Sequence, residues 1–128
     1  MKSGDYRPSD LLRGREIPDG LLKALPKTDL HCHLDGSLRM STFMELGRAA
    51  GLDMPAAEEE VRALYFPADR ECVMHEFLKH FDHTAALLQN EENLARVARE
   101  LAEDFASQGV WYLEIRFCPL MHTNEGLT

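Results

Sequence analysis

The sequence predicts an α/β fold in which two parallel strands are joined by a run of helices. Three observations carry this. Lys27 to Leu34 and Val110 to Phe117 each alternate as β-strands do, with one apolar and one polar face. The residues between them carry helical periodicity. Parallel strands need a long crossover, and helices usually supply it. In a closed α/β barrel the outer strand face packs on helices, and the inner face builds the site near the carboxyl ends. The pattern fits the start of a (β/α)8 TIM-type barrel, truncated after about two strands. The chain has 128 residues, short of the roughly 250 such a barrel takes. It is therefore expected to be either a smaller fold or the amino-terminal part of something longer.

Residues 1–20 mix charges with Pro8, Pro18, Gly4, Gly14 and Gly20, and read as a flexible arm. Residues 21–128 read as the first part of one barrel domain. Leu21, Leu22 and Leu25 suggest a helical turn stopped by Pro26. In the first strand Asp29, His31 and His33 share one face and Leu30, Cys32 and Leu34 the other. Gly36 and Ser37 end it. Ser41 or Thr42 is the expected N-cap of a helix to Ala50, with Phe43, Leu46, Gly47 and Ala50 inward and Gly51 beyond its end. Glu58 to Tyr65 is a short helix whose first-turn acids suit the dipole. A longer helix spans about Arg70 to Leu88, with Met74, Phe77, Leu78, Phe81, Ala85 and Leu88 on one stripe. Asn90 caps the next helix, whose stripe is Leu94, Val97, Ala98, Leu101 and Phe105, ending at Gly109. The second strand places Trp111, Leu113, Ile115 and Phe117 outward, and Tyr112, Glu114 and Arg116 inward. From Met121 to Thr128 no regular pattern is present.

Net charge is −8, from 14 basic and 22 acidic residues. That argues against nucleic acid or an anionic membrane as partner, since both call for a basic patch. A nucleoside ligand, which needs no phosphate contact, is compatible with it. No apolar run reaches the length of a membrane helix. The three cysteines form no C-x-x-C pair, and the first residues lack an apolar signal core, so a reducing cytoplasm is expected.

His31-x-His33 on a strand puts two imidazoles side by side, a reasonable spacing for zinc. The alternative is a hydrogen-bonded histidine pair. Asp35, just past the strand, sits at the rim of the site, free to bind a ligand hydroxyl or to cap its own turn. Asp29, at the strand's amino end, suits a structural role. His75-Glu76 starts like a zinc-protease motif, but Lys79 stands where the second His belongs. His80 and His83 read as a solvated helix face. The stripe of Met74, Phe77, Leu78 and Phe81 is core or an apolar lid over a flat ligand.

The run Pro26-Lys27-Thr28-Asp29-Leu30-His31-Cys32-His33-Leu34-Asp35-Gly36-Ser37 resembles the opening motif of the adenosine deaminase family, Pro-Lys-x-(Glu/Asp)-Leu-His-x-His-Leu-(Asp/Glu/Asn)-Gly-(Ser/Ala/Thr). Phe77-Leu78-x-x-Phe81-Asp82 resembles that family's helix over the purine pocket, and Gly109 to Arg116 with Pro119 its second barrel strand. The resemblance implies hydrolytic removal of a purine 6-amino group with a zinc-activated water. It implies His31 and His33 as zinc ligands, with His33 also against substrate, and Asp35 accepting a hydrogen bond from the ribose 5′-hydroxyl. It implies Met74, Phe77, Leu78 and Phe81 as the apolar wall. Asp35 points to adenosine or 2′-deoxyadenosine, because adenine-specific relatives tend to carry Glu there and N6-methyl-AMP relatives Asn. Aminodeoxyfutalosine and adenine remain as alternative substrates, and a non-catalytic interaction module as an alternative role. The resemblance places the family's catalytic glutamate, histidine and aspartate, and its other metal ligands, past the second strand. They are therefore expected beyond Thr128, and no catalytic acid or base is expected within the chain.

Overall fold

The two expected strands pair with each other. The structure, a computed structural model, describes residues 18–66 and 74–127, with the side chains of 74–77 outside that description. Strand β1 (Lys27–His33) runs parallel to β2 (Val110–Arg116). Helix α1 (Asp19–Ala24) precedes β1. Helices α2 (Met40–Ala49), α3 (Glu58–Tyr65), α4 (Met74–Ala86) and α5 (Glu91–Ser107) lie between the strands. Short 3-10 turns follow each strand, Leu34–Gly36 after β1 and Pro119–His122 after β2. The result is the predicted α/β arrangement, a parallel pair with a helical crossover.

One side chain fixes where the strands start. The Lys27 ammonium donates to the carbonyls of Lys23 at 3.3 Å, Leu25 at 3.0 Å and Gln108 at 2.9 Å. These carbonyls lie at the carboxyl ends of α1 and α5, where helical C=O groups lack partners and a cation is favoured. The Lys27 N–H donates to Gly109 O at 2.9 Å. Gly109 holds φ at 77°, the left-handed conformation that lets the chain leave α5 and enter β2. A Cβ there would lie 3.2 Å from Lys23 O.

The register is not uniform. Lys27 pairs with Val110 and Thr28 with Tyr112, so β2 carries the extra residue Trp111. Asp29 pairs with Leu113 and Cys32 with Ile115, so β1 carries one more residue than β2 in that interval. Such bulges break the strict alternation. Leu30 and His31 are consecutively exposed, and Asp29 is half-buried like Lys27 and Cys32. Leu30, expected on the apolar face with Cys32, is 57 % exposed as a result. On β2 only Leu113 of the expected outer set joins the core; Trp111 is 84 % exposed and Ile115 40 %.

The core has two parts joined by Leu38. Leu34, Leu88, Val97 and Leu101 pack with Cys32, Phe105 and Leu113 under the strands. Phe43, Met44, Val61 and Leu87 pack with Met54, Tyr65 and Phe66 between α2 and α3. Burying a side chain such as Leu88 stabilises by roughly 1.5–3 kcal/mol. Leu88 lies past the end of α4 rather than in it, since the chain tightens there through Leu87 N–H to Thr84 O and Leu88 N–H to Ala85 O. Residues 70–73 of the expected longer helix lie outside the described residues. The expected arm loses its last residues to α1, which begins at Asp19, while residues 1–17 lie outside the description. At the other end, Thr128 of the expected 21–128 domain lies outside the described residues as well.

Helix α2 starts earlier than expected. Arg39 is its N-cap residue, without a capping side chain, and Ser41 and Thr42 lie inside the first turn. Thr42 is needed elsewhere: buried, it donates to Glu100 at 2.6 Å. Arg96 binds Glu100 at 2.9 Å and reaches both oxygens of Glu45 at 2.8 and 2.7 Å. Arg39 grips both oxygens of Asp104. These contacts fasten α2 to α5. Asn90 caps α5 as expected, accepting from Asn93 N–H at 2.8 Å. His83 stays exposed and His80 is half-buried, as a solvated helix face would have them, while their rings also meet Tyr65 and Phe66 edge-on.

Replacing Lys27 by Met keeps the stem and leaves three carbonyls without their cation. Lys27→Met should destabilise by about 1.5–3 kcal/mol in urea unfolding. Glu100 gives a pH test. Burial pushes its pKa up, but the hydrogen bonds from Thr42 and Arg96, with the charges of Arg96 and Arg39, outweigh that and hold it below the ordinary value. A carboxylate lowered in this way stabilises above its unfolded pKa, about 4.3, and loses that contribution as pH falls through the lower folded value. Glu100→Gln should lower the melting midpoint by roughly 2–8 °C at neutral pH, with the deficit shrinking as pH drops through that range.

Candidate active site

Both strands end at the same edge, and the candidate residues collect there. His33 pairs with Arg116 at the carboxyl end of the sheet. The Nε2 atoms of His31 and His33 are 3.1 Å apart, with ring centroids at 5.1 Å. The two positions lie two apart on β1, so both rings stand on one face, with Leu30 exposed beside them. At this distance the pair shares a proton or shares a metal ion. Two nitrogens so spaced can each lie about 2.0–2.1 Å from one zinc ion, and neutral imidazole is a normal zinc ligand, so the donor pair fits the metal. Among the described residues no third His, Cys, Asp or Glu completes a metal cluster.

His33 is held from several sides. Its Nδ1 lies 3.7 Å from Asp35 Oδ1, too long for a hydrogen bond but within ion-pair reach. Its ring meets Phe81 edge-on at 6.0 Å. Ser37 Oγ donates to its carbonyl, closing the turn that carries Asp35. Asp35 is 4 % exposed, and its Oδ1 has no hydrogen-bond partner. A buried carboxylate oxygen left unpaired costs free energy that a donor on a ligand would recover.

Next to these groups a cavity of about 580 Å³ is lined by His33, Asp35, Leu78, Phe81, Arg116 and Phe117, among others. That volume lies within the range of small-molecule sites. The structure thus brings His31, His33, Asp35, Leu78 and Phe81 together. Met74 and Phe77 belong to α4, but their side chains lie outside the described residues. Phe117, expected on the outer face, lies past the end of β2 and lines the cavity instead. Cys118 and Met121 also line it. No periodicity in the sequence marks them, because the 3-10 turn at Pro119 folds them back. His122, uninformative in sequence, anchors that turn: it is buried and its Nδ1 is 3.0 Å from Leu88 O.

The family model described as adenosine deaminase matches residues 26–128. The chain belongs to the adenosine deaminase family. It is 45% identical over 105 residues to an adenosine deaminase of Clostridium perfringens, covering 81% of this chain and 32% of that one. It is 40% identical over 115 residues to a probable adenosine deaminase of Dictyostelium discoideum, covering 89% of this chain and 15% of that one. Among solved structures, the Arabidopsis N6-mAMP deaminase MAPDA matches with TM-score 0.63 and 32% identity, over 85% of this chain and 32% of that one. Arabidopsis ADAL complexed with GMP matches equally well, with TM-score 0.63 and 32% identity over the same shares. The chain thus spans a third or less of the length of these relatives.

In this deaminase-family chain Gly36 has a steric reason. A Cβ at position 36 would lie 2.7 Å from Phe81 Cε1. The ring that meets His33 therefore occupies the space a side chain would take. Gly36→Ala should displace Phe81 and cost about 1–3 kcal/mol. Combining it with Phe81→Leu, which frees the space, should recover part of that loss. The check is a thermal double-mutant cycle, in which a coupling below about 0.5 kcal/mol would refute the contact.

Proposed function

We propose that the chain carries the opening part of the active site of a metal-dependent adenosine deaminase, within residues 21–128 as the first part of a single barrel domain. His31 and His33 are two of the zinc ligands. The observation that carries this is the pair of Nε2 atoms 3.1 Å apart beside a buried, unpaired carboxylate oxygen. Zinc held there would supply a Lewis acid that brings the pKa of water down to about 7, ready for attack at purine C6.

The chain's own residues do the remaining work at this end of the site. His33 lies along the cavity and touches the purine ring. Asp35 accepts a hydrogen bond from a ribose hydroxyl through its unpaired oxygen and so orients the nucleoside. Leu78 and Phe81, with Met74 and Phe77 from the same helix, form the apolar wall and exclude water from one face of the base. The acid that protonates the ring and the remaining ligands come from residues beyond Thr128 in the complete protein. Two imidazoles are too few for tight zinc binding, so these 128 residues by themselves bind zinc weakly and are inactive.

Adenosine or 2′-deoxyadenosine is the substrate this reading favours. Its support is Asp35 together with relatives named adenosine deaminase at 40–45% identity. A purine nucleotide is the second reading, since the similar solved structures are titled an N6-mAMP deaminase and complexes with IMP and GMP. The protein works on a small purine in the cytoplasm, with neither nucleic acid nor membrane as partner. Among the described residues no helix is long and apolar enough to cross a membrane.

The test is zinc-loaded full-length protein assayed for loss of adenosine absorbance in the near ultraviolet. Adenosine should turn over, and N6-methyl-AMP, adenine and aminodeoxyfutalosine should be poor substrates. His31→Ala and His33→Ala should each lower zinc affinity and activity together by at least about a hundredfold, since even residues behind the ligands cost 10–100-fold. Unchanged zinc stoichiometry in both variants would overturn the assignment.

A further inference from the structure

The bulge in β1 is held by side chains, and it sits at the proposed ligands. Leu30 and His31 have no partner across the sheet in a register that runs from Asp29–Leu113 to Cys32–Ile115. The peptide unit that joins them is met on both sides. Its N–H, from His31, donates to Asp29 Oδ1 at 2.9 Å. Its C=O, from Leu30, accepts from Arg116 Nη2 at 3.5 Å. A side chain that bonds the backbone two residues ahead gives the chain an alternative to the ladder. Asp29 is therefore in place to keep this unit out of regular pairing.

That has a consequence for the imidazoles. His31 and His33 lie two apart and share a face of β1, and the bulge shifts that pair relative to Asp29 and the residues before it. The 3.1 Å approach of the two Nε2 atoms exists in the bulged register. We infer that Asp29 is a positioning residue for the metal-binding pair: its carboxylate fixes the His31 peptide unit at the bulge and so sets how the His31 nitrogen meets that of His33. The inference rests on reading the two histidines as metal ligands. Asp29 itself touches neither metal nor substrate in this scheme. It acts through a hydrogen bond, so an uncharged acceptor in the same place should serve.

The experiment compares Asp29→Ala and Asp29→Val with Asp29→Asn in the full chain. Val favours strands, so it stands in if the Ala variant fails to fold. Zinc affinity is measured by competition with a chromophoric chelator. The ring–ring nuclear Overhauser contact between His31 and His33, and the exchange rate of the His31 amide, are measured in metal-free protein. Affinity should fall at least about tenfold in the Ala or Val variant, as for other residues that orient ligands. It should stay within about threefold of the parent in Asp29→Asn, with the ring contact and amide protection retained in Asn and lost in Ala or Val. Parental affinity in Ala or Val overturns the inference. So does a loss in Asn as large as in Ala, which would make the charge and not the bond responsible. If the parent binds no zinc, the metal reading fails by itself. The inference is then decided by the metal-free data, where a ring contact surviving in Ala or Val overturns it.

Discussion

The parallel pairing of β1 with β2 is the constraint on which the rest depends, and Lys27 sets its origin. Its ammonium gathers carbonyls from the ends of α1 and α5 while its peptide N–H takes Gly109 O. Residues 81 apart in sequence are thereby brought to one point. Every position further along the strands is counted from there. His33 and Arg116 meet at the far end because the two bulges, one on each strand, cancel. A lysine in the opening motif thus serves the architecture, at the opposite end of the strand from the histidines.

The molecule divides its polar groups between two tasks. On the helical side, ion pairs are bidentate and shared: Arg39 with Asp104, and Arg96 with Glu45 and Glu100. The Arg96 hydrogen bond holds the Glu45 carboxyl below its usual range, and the Arg39 bond does the same for Asp104. Exposed pairs of this kind add little each, but they orient α2 on α5 and with it the turn that carries Asp35. On the site side, satisfaction is incomplete. The buried Asp35 Oδ1 has no hydrogen-bond partner, and the His31 and His33 Nε2 atoms are matched only with each other at 3.1 Å among the hydrogen bonds described for them. Unspent hydrogen-bonding capacity concentrates where a ligand would use it.

Much of this was legible in the sequence, for identifiable reasons. Helix α3 follows from its first-turn acids, and α5 from a strong apolar period and cap chemistry at Asn90, all local properties. The histidine pair was legible because its spacing is short. What was not legible depends on partners distant in the chain. Thr42 looks like a cap by itself, but Glu100 claims its hydroxyl. Leu30 and His31 alternate normally on paper, and only pairing with β2 reveals the extra residue. Phe117 reads as a continuation of the strand, yet the turn at Pro119 brings its neighbourhood into the cavity. His122 carries no signal until Leu88 O is seen beside it.

Trp111 is the extra residue of the first bulge, the sole tryptophan of the chain, and 84 % exposed. An indole so placed emits as a water-bathed fluorophore, open to collisional quenchers. It stands on the strand face that a closed barrel would wrap with helices, at the end away from the histidines. Its emission colour is therefore an intrinsic optical gauge of whether that outer face is wet or enclosed, read without any label and undisturbed by events at the ligand end.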